Sequence, residues 1–146
     1  MYPLDVAKVS ATLGGARVLG VAPSSVGAMS EAIAHGLPRD VVPEVAAQAA
    51  PDRGDLRRKV AALIVSPATY KRGRRLSPAA GERAERLARV TALAQQALGD
   101  AEEARTWLTT PHPLLADRTP IETAATDLGA RLVERILHNL EYGLPV

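Results

Sequence analysis

The stretch that decides the fold is LSPAAGERAERLARVTALAQQALGD, residues Leu76 to Asp100. It carries a helix start at one end and a helix stop at the other. Ser77 is placed to accept from a first-turn amide, and Pro78 suits the first helical position, where a backbone N–H has no partner anyway. Beyond them Leu87, Val90, Ala94, Ala97 and Leu98 fall at steps that keep them on one helix face. Gly99 ends the helix, because glycine accepts the left-handed backbone of a helix C-terminus. Arg83, Arg86 and Arg89 share the N-terminal half, where the helix dipole disfavours cations. Two readings of them stand: an external anion meets them, or they lie on a solvated face where Glu82 and Glu85 offset them.

Composition makes the neighbours of this helix helices too. The 146 residues suit one domain of ordinary size or two very small ones. Apolar residues make up 47%, yet Phe is absent and aromatics are 3%, so Ala, Leu and Val must fill the interior. Such side chains suit close helix–helix approach better than the layered core of a sheet. All-α is the expected class. The absence of cysteine excludes disulfides, thiolate metal sites and cysteine nucleophiles, and fits a reducing cytosol. The opening MYPLDVAKVS lacks the basic region and apolar run of a signal peptide, and no apolar run nears the roughly 18 residues of a membrane span. A cytoplasmic protein without membrane contact is expected.

Towards the N-terminus, Ser66-Pro67 is a second cap-and-proline start, opening a short basic helix read as ATYKRGRR (68–75). Before it, LRRKVAALIV (56–65) has Leu56, Val60, Leu63 and Ile64 as its apolar stripe, with Asp55 as expected cap. Two short helices joined by a tight turn, the second basic, form a helix-turn-helix pattern; two ordinary amphipathic helices with solvated charges are the plainer reading. Further upstream, Asp40 is the expected cap of a helix to about Ala50, with Val42, Val45 and Ala49 on one face. Ser25 starts a helix from Val26 to His35 that Gly36 stops, and Leu4 to Leu13 is a short first helix.

Towards the C-terminus, Asp100 caps a helix to about Leu108 with Trp107 turned inward, and Thr109 to Arg118 is loop. Thr119-Pro120-Ile121-Glu122 starts a helical turn. Thr126 or Asp127 starts the last helix, on which Leu128, Leu132, Ile136 and Leu140 advance by fours. The chain then presents Tyr142, Gly143, Leu144, Pro145 and Val146, an apolar tail. Its plain reading is that Tyr142 and Leu144 fold back onto the helices; the other is a working surface, with Pro145 lowering the entropy lost on ordering.

Charge is partitioned along the chain. Residues 53–89 hold eleven basic and three acidic side chains, a net of +8 between segments of −2 and −4. A basic waist between acidic ends points to a polyanion, nucleic acid above all. Chemistry is otherwise hard to find. There is no Gly-rich phosphate loop, nucleophile elbow or paired metal ligand, and His35, His112 and His138 are isolated in sequence. No catalytic residue, metal or cofactor is expected, and the protein is read as a non-enzyme.

Residues 66–146, taken as one string, resemble the toxin-binding domain of the Xre/MbcA/ParS antitoxin family. The carrying elements are Leu76-Ser77 with GERAERLARV (81–90), Leu98-Gly99-Asp100, Ala104, Trp107-Leu108, Pro111, Leu114 and Pro120-Ile121. Thr126-Asp127-Leu128-Gly129-Ala130, Val133, Leu137 and Glu141-Tyr142-Gly143 complete it. Val60 to Arg75 resembles the end of the family's helix-turn-helix region. Where the family often has a Gly-Gly turn, this chain has Leu115-Ala116-Asp117-Arg118.

The resemblance implies an all-helical type II antitoxin: residues 1–75 an N-terminal helix-turn-helix-like region that binds DNA, residues 76–146 a C-terminal toxin-binding domain. It implies a RES-domain toxin that degrades NAD as partner, with homodimers and hetero-oligomers with that toxin, and repression of the protein's own operon. Carried over by position, the segment that covers the toxin's substrate pocket is Leu140, Glu141, Tyr142, Gly143, Leu144, Pro145 and Val146. The residues facing operator DNA are Thr69, Tyr70, Lys71, Arg72, Arg74 and Arg75. The rival reading is a stand-alone repressor whose C-terminal domain only dimerises.

Overall fold

The computed structural model describes residues 5–145, and the helices are α1 (Val6–Thr12), α2 (Gly15–Leu19), α3 (Val26–His35), α4 (Val41–Ala49), α5 (Leu56–Ile64), α6 (Pro67–Arg72), α7 (Pro78–Leu98), α8 (Ala101–Leu108), α9 (Pro120–Thr123) and α10 (Asp127–Glu141). Among the described residues there is no strand, only two isolated bridges, Pro38 with Arg75 and His112 with Arg118. Leu4, the expected start of the first helix, and Val146, the end of the tail, lie outside the described residues.

The all-α class holds, and α7 is the axis of the molecule. Its small residues let neighbours approach from several sides: Leu87, Ala88, Val90, Thr91 and Ala94 are all inaccessible. It packs against α1, α3, α4 and α5 and also against α8, α9 and α10, and the buried side chains that precede and follow Leu76 form a single cluster. The buried Thr91 hydroxyl is satisfied by the Leu87 carbonyl at 2.7 Å.

Caps explain where the helices begin. Ser25, Ser66, Ser77, Asp100, Thr119 and Thr126 each accept from a first-turn amide, and Thr119 with Glu122 forms a reciprocal capping box. Gly99 closes α7 at φ 74°. Asp40 and Asp55 do not cap. Asp40 already has helical backbone (φ −65°, ψ −12°), which turns its side chain away from the first-turn amides, and the Asp55 carboxylate instead lies 3.6 Å from Lys59 Nζ.

Two further expectations change. The basic helix stops at Arg72 rather than Arg75, because residues 74–76 leave it to run beside residues 37–39, with Arg39 N donating to Arg74 O and Leu76 N to Leu37 O at 2.9 and 2.8 Å. On α10 the leucines spaced by fours are not the core face. Each step of four overshoots a helical turn by about 40°, so the series drifts round the helix. The buried face is Ala130, Val133, Ile136 and Leu137, while Leu128 is 76% exposed.

The loop between α8 and α9 keeps a left-handed turn without glycine. Ala116 and Asp117 have φ of 55° and 60°, where the resembling family often has Gly-Gly. Bonds within the loop hold it: His112 O accepts from Leu115 N and Asp117 N, His112 N donates to Arg118 O, and His112 Nδ1 accepts from Leu114 N. A left-handed residue with a Cβ costs roughly 1–2 kcal/mol, partly regained through a less flexible unfolded chain. Ala116→Gly is therefore expected to raise stability by about 0.5–1 kcal/mol, read as a higher urea midpoint at unchanged slope.

Candidate functional site

Two surfaces concentrate the residues singled out in the sequence, and they lie on different elements. The first is the pair α5–α6. Val60 and Ile64 anchor α5 in the core, Val65 and Ser66 make the turn, and Pro67 opens α6. The Ser66 hydroxyl accepts from Thr69 N and donates to Thr69 Oγ1 at 2.9 Å, so Thr69 is occupied in forming the turn. Tyr70 is half-buried beneath Arg39, whose guanidinium carbon stands 5.1 Å from the ring centroid. Arg39 Nη1 also donates to Tyr70 O and Gly73 O at 3.0 and 3.2 Å, closing the open C-terminus of α6 with a cation.

Of the six residues assigned to DNA, all but Tyr70 are exposed, and the side chains of Lys71, Arg72 and Arg74 make no bond outside α6 among the described residues. Arg72 makes one contact, within its own helix, to Thr69 Oγ1. Arg75 is exposed but donates to Gly36 O at 2.8 Å, tying the end of α3 to the strand-like segment after α6. Arg58 of α5 joins this surface. It rims, with Lys71, an apolar groove floored by Val42, Ala61, Val65 and Tyr70. In the sequence Arg58 is one cation of the basic waist among eleven, and the periodicity of its helix marks only the apolar stripe.

Of the two readings of the three α7 arginines, only the offset by Glu85 holds, and for Arg89 alone, on a largely buried rather than a solvated face. All three are internal struts. Arg83 Nε donates to Ile64 O, the carbonyl end of α5, at 3.0 Å. Arg86 Nη2 donates to Ala125 O, just past α9, at 3.0 Å. Arg89 sits between Glu85, at 2.9 Å, and Glu134 of α10, in a largely buried ion triad. Guanidinium groups placed on helix ends find carbonyls that no helical amide can reach, which is why the dipole of α7 does not decide their position.

The second surface is the C-terminal turn. Tyr142 N donates to His138 O, and Gly143, left-handed at φ 66°, reverses the chain. Leu144 N then donates back to Asn139 O at 2.8 Å, and Asn139 Nδ2 donates to Pro145 O at 3.0 Å. This is a glycine-closed helix end in which a side-chain amide holds the returning strand. Backbone folds back; side chains do not. Tyr142 and Leu144 remain 62% and 48% exposed, with the Tyr142 ring 4.8 Å from that of His138. Trp107, expected inside, is half-buried, its ring edge-on to His112 at 5.9 Å. No described helix is long and apolar enough to cross a membrane.

The chain is thus a helix-turn-helix and a smaller helical unit that share the central helix α7. Comparison with known families agrees with it. Residues 28–89 match the antitoxin Xre-like helix-turn-helix domain, and residues 93–143 match the antitoxin Xre/MbcA/ParS C-terminal toxin-binding domain. The chain belongs to the Xre/MbcA/ParS antitoxins. No curated protein matches it. The two matched spans meet inside α7, and the second ends at Gly143.

Proposed function

We propose that this antitoxin neutralises a RES-domain toxin that degrades NAD, by laying residues 140–146 over the toxin's substrate pocket, and that the complex represses its own operon through α6. In this reading residues 1–75 serve DNA and residues 76–146 serve the toxin, acting in the cytoplasm as a homodimer and as a hetero-oligomer with the toxin. The observation that carries it is the C-terminal turn. Asn139 and Gly143 fix the backbone of the segment before any partner arrives, while Tyr142 and Leu144 point outward. A preorganised apolar segment loses little entropy on binding, so more of its contact energy appears as affinity. The test is NAD consumption by the protein encoded in the adjacent reading frame, titrated with the full chain. Inhibition that is competitive with NAD is expected; inhibition independent of NAD concentration, or a neighbour that consumes no NAD, overturns the reading.

The DNA half of the proposal separates exposed cations from struts. Arg72→Ala is expected to weaken binding to DNA from the chain's own upstream region about tenfold at low salt and to lower the salt slope by roughly 1, the signature of one lost phosphate contact. Arg86→Ala removes the same charge from a strut, so it should leave that slope unchanged and lower the unfolding midpoint instead.

A further inference from the structure

A seven-residue tail is too small to be a whole interface. Specific complexes bury about 800 Å² on each partner, some 20–30 residues a side. The surface that adjoins the tail shows where the remainder lies. Leu128, Leu132, Arg135 and Asn139 follow one another at steps of four, three and four, and so share the outer face of α10. Asn139 is the residue that holds Pro145, so the tail returns onto the end of this same face. Together they make a continuous stripe, about 17 Å from Leu128 to Asn139 along the helix, with Leu144 and Pro145 beyond. Leu128 is 76% and Leu132 38% exposed, although the sequence spacing would have hidden both. Arg131 is held by Asp127 at 2.8 Å, whereas Arg135 has no ion pair among the described residues.

We infer that this outer face of α10 is the second half of the toxin contact, with Leu128 seated in an apolar pocket of the toxin and Arg135 facing a toxin carboxylate. The inference rests on the proposed toxin reading and extends it away from the substrate pocket, to the end of α10 farthest from the tail. The α10 part of the stripe, Leu128 to Asn139, lies wholly inside the span matched to a toxin-binding domain. Self-pairing of the stripe about a two-fold axis is the rival occupant, and it would crowd the Arg135 guanidinium groups of both copies onto one small face.

The experiment compares Leu128→Glu with the unaltered chain. Glutamate in the first turn of α10 suits the helix dipole, so the fold should be kept, as the thermal midpoint would show. Binding of the protein encoded in the adjacent reading frame is then measured by titration calorimetry, alongside sedimentation of the antitoxin alone. The expected result is at least tenfold weaker toxin binding at unchanged oligomeric state, with Leu128→Met restoring affinity, and with Arg135→Glu slowing association most at low salt. Affinity within twofold of the unaltered chain overturns the inference. So does loss of self-association with toxin affinity intact, which assigns the stripe to a second copy. A neighbour that fails to bind even the unaltered chain overturns the toxin reading itself, and the two failures are thereby told apart.

Discussion

Removing residues 140–146 is expected to abolish neutralisation of the toxin while leaving the helical fold in place. The buried residues of α10, Ala130, Val133, Ile136 and Leu137, all precede the cut. What the truncation takes from the folded state is the last two residues of α10, the closing bonds to His138 and Asn139, the ring contact of Tyr142 with His138 and one exposed bond from Gln96 to Glu141. Losing a helix cap and a surface hydrogen bond costs about 1 kcal/mol, within what the remaining core sustains. The loss on binding is far larger. Burying a leucine side chain contributes about 1.5–3 kcal/mol, and a tyrosine anchor at an interface about 2 kcal/mol. Tyr142 and Leu144 together thus account for about 4 kcal/mol, roughly a thousandfold in affinity. Growth of cells expressing the toxin with the truncated chain, set beside circular dichroism of that chain, is the measurement. Full protection by a truncated protein would sink the tail as the blocking segment. Gly143→Ala should reproduce part of the effect, because an alanine at φ 66° is strained and misdirects Leu144.

Helix limits were legible because their causes are local. A serine or threonine that accepts from an amide two or three residues on needs nothing from the rest of the chain, and Ser25, Ser66, Ser77, Thr119 and Thr126 all behave as their sequence context implies. Asp40 fails because capping also needs an extended backbone, and there the helical turn begins early, with Val41 N already bonded to Pro38 O. The arginines of α7 were illegible for the opposite reason. Whether a guanidinium meets water, phosphate or a carbonyl depends on what folding brings near it; apart from Glu85, one turn from Arg89, the partners of Arg83, Arg86 and Arg89 lie 19, 39 and 45 residues away. Counting charge along the chain therefore overstated the free cations, and around α5–α6 it is the side chains of Arg58, Lys71, Arg72 and Arg74 that stay exposed without a partner outside their own helix among the described residues. The tail was legible as apolar but not as fixed. Its order comes from Asn139, a residue with no signal of its own until the chain reverses at Gly143 and returns to it.

The same substitution, glycine to alanine inside a helix, is expected to act in opposite directions at Gly129 and Gly27. Gly129 stands in the first turn of α10, where that helix crosses the end of α9. A Cβ there would overlap the Thr123 carbonyl oxygen and come within 2.8 Å of its carbon and 2.9 Å of Thr126 Oγ1. None of these can yield cheaply. Thr123 is buried and bonded to Thr119 O, Thr126 caps α10 through Gly129 N, and Ala125 between them is held by Arg86. The methyl group must push α9 and α10 apart, at about 3 kcal/mol, which for a chain of this size is roughly 10 °C in Tm. Because the displaced turn carries Leu128 and opens the path to Glu134 and the tail, toxin binding should fall with it. Gly27 lies within α3, and a Cβ there meets nothing within 4 Å. Its replacement only removes backbone freedom from the unfolded chain and should raise stability by about 0.5–1 kcal/mol. If the two changes shifted the unfolding midpoint in the same direction, helix propensity rather than the close approach of α9 to α10 would be governing both, and the contact of Gly129 with Thr123 would not be what holds α10 in place.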